Sequence, residues 1–151
     1  MDRRLLIAAA LIGITLGIGG YTFVYAKGYS YLTNDPEACA NCHVMRDHYR
    51  AWTRASHHGT AVCNDCHTPP GLVPKYMTKA RNGFWHSFYF TTGRYPDPLQ
   101  ITPRNHDVTE LACRKCHEEV TNAIDAHAAD RGGSDAALSC IRCHRNVGHM
   151  H

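Results

Sequence analysis

Cys39-Ala-Asn-Cys42-His43, Cys63-Asn-Asp-Cys66-His67, Cys113-Arg-Lys-Cys116-His117 and Cys140-Ile-Arg-Cys143-His144 repeat one pattern four times within 151 residues. All 8 cysteines of the chain fall in these pairs, and a histidine follows each pair directly. Two thiols one helical turn apart reach the two vinyl groups on one edge of a porphyrin, and the next imidazole swings under the iron. The C-x-x-C-H run is therefore the attachment signature of c-type haem, and four covalently bound haem c groups are expected on this chain. A zinc ribbon would use two such pairs and a disulfide framework all eight thiols, but neither requires histidine after every pair. With 12 histidines in 151 residues, four such placements arise from composition roughly a few times in 100,000.

Upstream of the first motif, Leu5 to Ala26 runs without a charge. At about 1.5 Å per residue a helix of this length crosses a hydrocarbon layer of roughly 30 Å. Arg3 and Arg4 precede it, Lys27 follows it, and Tyr21 and Tyr25 lie near its far end. The positive-inside bias then keeps the N-terminus cytoplasmic and exports the remainder. Val24-Tyr25-Ala26 has the form of a cleavage site, but a signal peptide has a shorter apolar core, of about 7 to 15 residues. A retained anchor over residues 1–27 is expected, single-pass in the cytoplasmic membrane, with a periplasmic haem domain over 28–151. Gly13 and Gly17 form a GxxxG pair on which two copies could associate within a larger complex.

About 125 residues remain for the exported domain, too few apolar ones among them for a large protein-only core. Four tethered macrocycles supply the missing buried surface. The formal charge of +3 and pI near 8.4 are mild and the basic residues are scattered, so nucleic acid is not an expected partner. Strand-like alternation is nearly absent. The expected fold class is mainly α, a single transmembrane helix followed by a small tetrahaem domain with little regular structure. The close pairing of motifs suggests two dihaem halves, at about 28–95 and 105–151. Leu72 to about Thr91 reads as a helix, preceded by Pro69-Pro70-Gly71 and followed by Gly93, with Lys75, Lys79 and His86 on one face. Asn105 to Leu111 and Arg131 to Ala137 read as loops.

Low-spin haem irons need a second axial ligand. Outside the motifs stand His48, His57, His58, His86, His106, His127, His149 and His151, and Met45 offers a thioether two residues beyond His43. His149 lies too near His144 in sequence to cap the same iron comfortably, and more naturally serves a neighbouring haem. Met45 also reads as an ordinary packing methionine.

With its N-terminal anchor, its Cys39-x-x-Cys42-His43-x-Met45 opening, its Cys63-Asn-Asp-Cys66-His67 block and its Arg145-Asn146-Val147-x-His149 ending, the chain resembles the NapC/NirT/NrfH family of membrane-anchored tetrahaem quinol dehydrogenases. Its short length is most similar to the NrfH branch, small subunits of cytochrome c nitrite reductase. The resemblance implies that Met45, instead of His43, ligates the first iron. It implies His149 opposite His67 on the second haem, and His58 opposite His117 on the third. His144 would hold the fourth, whose other face is completed by a lysine of the large multihaem catalytic partner. The family carries a quinol-site lysine, matched by Lys79, and seven residues on usually an aspartate, where this chain has His86. An imidazole there can accept a quinol proton or cap the first iron.

The implied function is oxidation of menaquinol from the membrane quinol pool and delivery of electrons to a periplasmic catalytic subunit, most simply a nitrite reductase forming ammonia in anaerobic respiration. Lys79 and His86 would position and deprotonate the quinol, since histidine titrates near ambient pH. Methionine ligation raises a haem potential and would make the first haem the better acceptor. Three rival readings make different demands. Service to another periplasmic reductase changes only the partner. A terminal multihaem reductase would turn over with an artificial donor and no partner, and a released carrier would be soluble without detergent.

Overall fold

The computed structural model describes residues 2–130 and 138–149. It is helical, with no strand among the described residues. Helix α1 (Arg3–Tyr25) begins at Asp2, whose carboxylate accepts the Arg4 N–H as an N-cap. Every described residue of α1 is exposed, and its mean hydropathy over 18 residues is 1.9, as a lipid-facing helix requires. The chain turns sharply after α1. Lys27 adopts a left-handed φ of 52°, and Gly28 lets the Phe23 ring fold back to where any Cβ would come within 2.5 Å of it. A 3₁₀ turn, Gly28–Leu32, follows and packs on the long helix Leu72–Thr92.

The exported domain continues through α2 (Pro36–Cys39), α3 (Arg46–Trp52), α4 (Cys63–His67), α5 (Leu72–Thr92), α6 (Pro103–Cys116), α7 (Glu118–Asp130) and α8 (Cys140–Cys143). α5 ends as its sequence predicts, on Gly93 at φ 64°. Asn105 to Leu111 does not form a loop: it lies inside α6. The reading failed because the segment is polar, while the start signal sits just upstream. Thr102 caps the helix by accepting the Asn105 N–H, Pro103 occupies the first turn, and Val108 and Ala112, four apart, bury one face. The loop expected at Arg131–Ala137 lies outside the described residues.

Trp52, Ala55, Val108 and Ala112 are the buried apolar residues of the described chain. Such a core cannot offset backbone ordering at about 1–2 kcal/mol per residue, which agrees with a fold organised around bound groups. Polar staples do much of the local work. The Trp52 indole donates to Ala61 O at 3.1 Å and closes the segment leading into α4. α4 packs against α6, and Asp65 in its first turn accepts the Val62 N–H.

Glu110 ties α6 to α8. Its carboxylate accepts from the Ser139 hydroxyl, from Cys140 N–H at 2.8 Å and from Ile141 N–H at 3.0 Å. Burial pushes its pKa up, but these bonds outweigh burial and hold it below the usual value. A depressed carboxyl stabilises the fold above its unfolded pKa near 4.5, and that stabilisation is lost as pH falls through the lower folded value. Glu110→Gln turns one acceptor into a donor against these N–H groups and should cost about 1.5–3 kcal/mol. Denaturation of the detergent-solubilised haem protein measures this, and the variant should also lose the wild type's stability decline in acid.

Candidate haem centres and the cavity beside the anchor

Three of the four motifs sit on helical turns that put both thiols on one side. α4 is the second motif itself. Cys113 and Cys116 form the last turn of α6, where His117 caps the helix by donating its N–H to Cys113 O at 3.0 Å. His144 does the same for Cys140 at the end of α8, at 2.9 Å. The first motif differs. Cys39 closes α2, Cys42 lies in the following turn, and His43 opens a short 3₁₀ turn that ends at Met45. His43 is exposed, its ring edge-on to Phe90 at 5.8 Å, while Met45 is half-buried.

Successive motifs are neighbours. The Cys39 and Cys63 side chains lie close enough to perturb one another. Cys66 lies within electrostatic reach of Cys113 and Cys116, and Cys113 of Cys140. No disulfide joins any two of the eight cysteines, and among the described residues no group of three His, Cys, Asp or Glu converges as a metal site.

Two histidine pairs have the spacing that a shared iron requires. His67 and His149 have ring centres 6.0 Å apart, and so do His57 and His117. A metal–nitrogen bond of about 2 Å on each side sets the ring centres of two flanking imidazoles about 6 Å apart. His149 Nδ1 is 3.0 Å from His48 O and His57 Nδ1 is 3.2 Å from Val147 O, contacts that set the orientation of each ring. Burial, with the neighbouring His149, His48 and His86, pushes His67 down to about 4 and keeps it neutral, the ligating form. These residues fit haem. The resemblance implied His58 opposite His117, whereas the structure turns His58 onto Trp52, ring centres 4.5 Å apart, and presents His57. Alternation of side chains through the turn after Trp52 separates the two. His144 is exposed and lines an open cavity of about 530 Å³ with Ser56, Arg142, Arg145 and Val147.

A second cavity, about 590 Å³, opens between the end of α1 and the flank of α5, walled by Phe23, Tyr31, Leu32, Lys79, Phe84 and Phe88. Lys79 is only 6% exposed; its ammonium donates to Thr33 O and, at 3.2 Å, to Asn34 Oδ1. Asn64 from α4 donates to the same two acceptors at 3.2 Å each, so the turn before α2 is pinned from both sides. Burial first, then the Lys75 charge, lowers the Lys79 pKa. His86 stands two turns along α5 from Lys79, with Nδ1 3.3 Å from the Tyr31 hydroxyl, and burial lowers its pKa as well. Sequence reasoning named Lys79 and His86 but missed Tyr31, Thr33 and Asn34, which approach α5 from more than 40 residues away and leave no local pattern.

Residues 2–151 match the N-terminal region of the NapC/NirT cytochrome c family. The chain belongs to that family. It is thus a single-pass membrane cytochrome that binds haem c covalently. Among NapC/NirT relatives, the cytochrome c-type protein NrfH of Wolinella succinogenes is 36% identical over 97% of this chain and 87% of its own. The cytochrome c nitrite reductase subunit NrfH of Nitratidesulfovibrio vulgaris is 33% identical over 91% of this chain and 80% of its own. A crystal structure of the cytochrome c nitrite reductase NrfHA complex bound to the HQNO inhibitor superposes with a TM-score of 0.62 at 30% identity, covering 94% of this chain and 90% of that one.

Proposed function

We propose that this NapC/NirT cytochrome oxidises menaquinol at the membrane surface and passes the electrons to a periplasmic catalytic subunit, cytochrome c nitrite reductase. The observation that carries the reading is the apolar cavity between the anchor and α5, with Lys79 in its wall and the first haem motif just beyond Tyr31. A hydrophobic quinol reaches it from the bilayer without crossing water. The relatives' names and the HQNO-bound NrfHA complex support the choice of quinol and partner.

In this reading residues 1–27 anchor the chain and 28–151 hold four haems. Met45 takes the place of His43 on the first. His67 and His149 would flank the second, and His117 with His57, the ring that faces it, the third. His144, which lines the open cavity at α8, would hold the fourth. Haem c supplies one-electron acceptors at potentials set by these ligands. The chain's own residues do the rest: the aromatic wall excludes water, Lys79 fixes the turn beside the cavity, and His86 accepts the proton.

The haem protein, purified in detergent, should develop the reduced α-band when mixed with a reduced naphthoquinone, and should reoxidise on adding nitrite together with the catalytic subunit. Haems that stay oxidised under the quinol would overturn the reading. His86→Leu should slow quinol-driven reduction by about 10²-fold, the usual contribution of a general base, with dithionite reduction unchanged. Unaltered quinol kinetics in that variant would remove His86 from the mechanism.

A further inference from the structure

Tyr31 stands between the cavity and His86. Its ring is part of the cavity wall, and the described residues lining that wall do not include His86. The ring rests on α5 at Gly83, where a Cβ would come within 3.3 Å of it, so the absence of a side chain at Gly83 lets Tyr31 approach this closely. From that seat the hydroxyl lies 3.3 Å from His86 Nδ1, one turn further along the helix. A molecule in the cavity lies against Tyr31 and not against His86.

Resting on the quinol-oxidising reading above, we propose that the Tyr31 hydroxyl relays the quinol proton to His86. The quinol O–H proton moves to the Tyr31 oxygen as the Tyr31 O–H proton moves to His86 Nδ1, so the tyrosine ends as neutral as it began. One electron leaves the quinol in the same step for a ferric haem c, the oxidant. His86, on the exposed flank of α5, then releases its proton to solvent and is ready for the second transfer. Two rounds convert quinol to quinone with two protons and two electrons accounted for. Burial raises the Tyr31 pKa, so the hydroxyl stays protonated throughout, the state a relay needs.

The test uses the full-length haem protein in detergent with a reduced naphthoquinone. Tyr31→Phe keeps the ring on Gly83 and removes only the hydroxyl. It should lower kcat by about 10²-fold, the scale of a lost acid–base group, while KM, the haem spectrum and dithionite reduction stay as in the wild type. In mixtures of light and heavy water, the wild-type rate should fall along a curve that reports two protons in flight, and the residual rate of the variant along a straight line. A variant with wild-type kcat, or a wild type whose rate already follows a straight line, overturns the relay. A wild type that quinol does not reduce at all overturns the functional reading instead.

Discussion

Replacing Cys63 and Cys66 together by alanine is expected to remove the whole folded domain, not one chromophore of four. The described chain buries only Trp52, Ala55, Val108 and Ala112 as apolar core. The second motif is α4, which packs on α6, and its Cys63 meets Cys39 of the first motif, so the haem it holds sits at the junction of the other segments. Losing that group removes more stabilisation than the roughly 5–15 kcal/mol by which domains of this size are stable. Membranes from cells making the double variant should contain almost no full-length protein, and the reduced α-band should vanish. Recovery of a protease-resistant protein with three quarters of the haem would show that each haem stabilises only its own segment.

The second large effect is expected at Lys79. Its ammonium is buried beside the cavity and holds Thr33 O and Asn34 Oδ1, the acceptors that Asn64 grips from the other side. Lys79→Ala takes away a charged donor and opens the wall at the point where the turn leading into the first motif is fixed. Hydrogen bonds to charged groups are worth about 1.5–3 kcal/mol, and a small displacement of the site should cost about 10²-fold in quinol-driven haem reduction. Stopped-flow reduction by a reduced naphthoquinone measures it. Dithionite reduction should be unaffected, because Lys79 is not among the proposed haem ligands. Wild-type quinol kinetics in this variant would place the quinol at some other surface.

Much of this molecule was legible in local patterns. α1 followed from an uncharged apolar run, and α5 from Pro69-Pro70-Gly71 before it and Gly93 after it. α6 is only partly legible in the sequence, because Asn105 to Leu111 is largely polar and the helix is marked only by the Thr102-Pro103 start signal upstream. The pairing of His67 with His149 is implied by family likeness, and their ring centres lie 6.0 Å apart. Adjacent His57 and His58 are chemically identical as text; the turn after Trp52 is what points one to His117 and the other to the indole.

The amino-acid sequence by itself determined the covalent chemistry and the anchor, because thiol spacing, the following histidine and an apolar run of membrane length act within a few turns of chain. Tertiary structure alone decided which aromatic ring lines the cavity and which carbonyls orient the imidazoles. Tyr31 meets His86 across 55 residues, His57 meets Val147 across 90, and His149 meets His48 across 101. Contacts of that range depend on how helices dock, and docking here is set by a few buried side chains and polar staples that have no period to read.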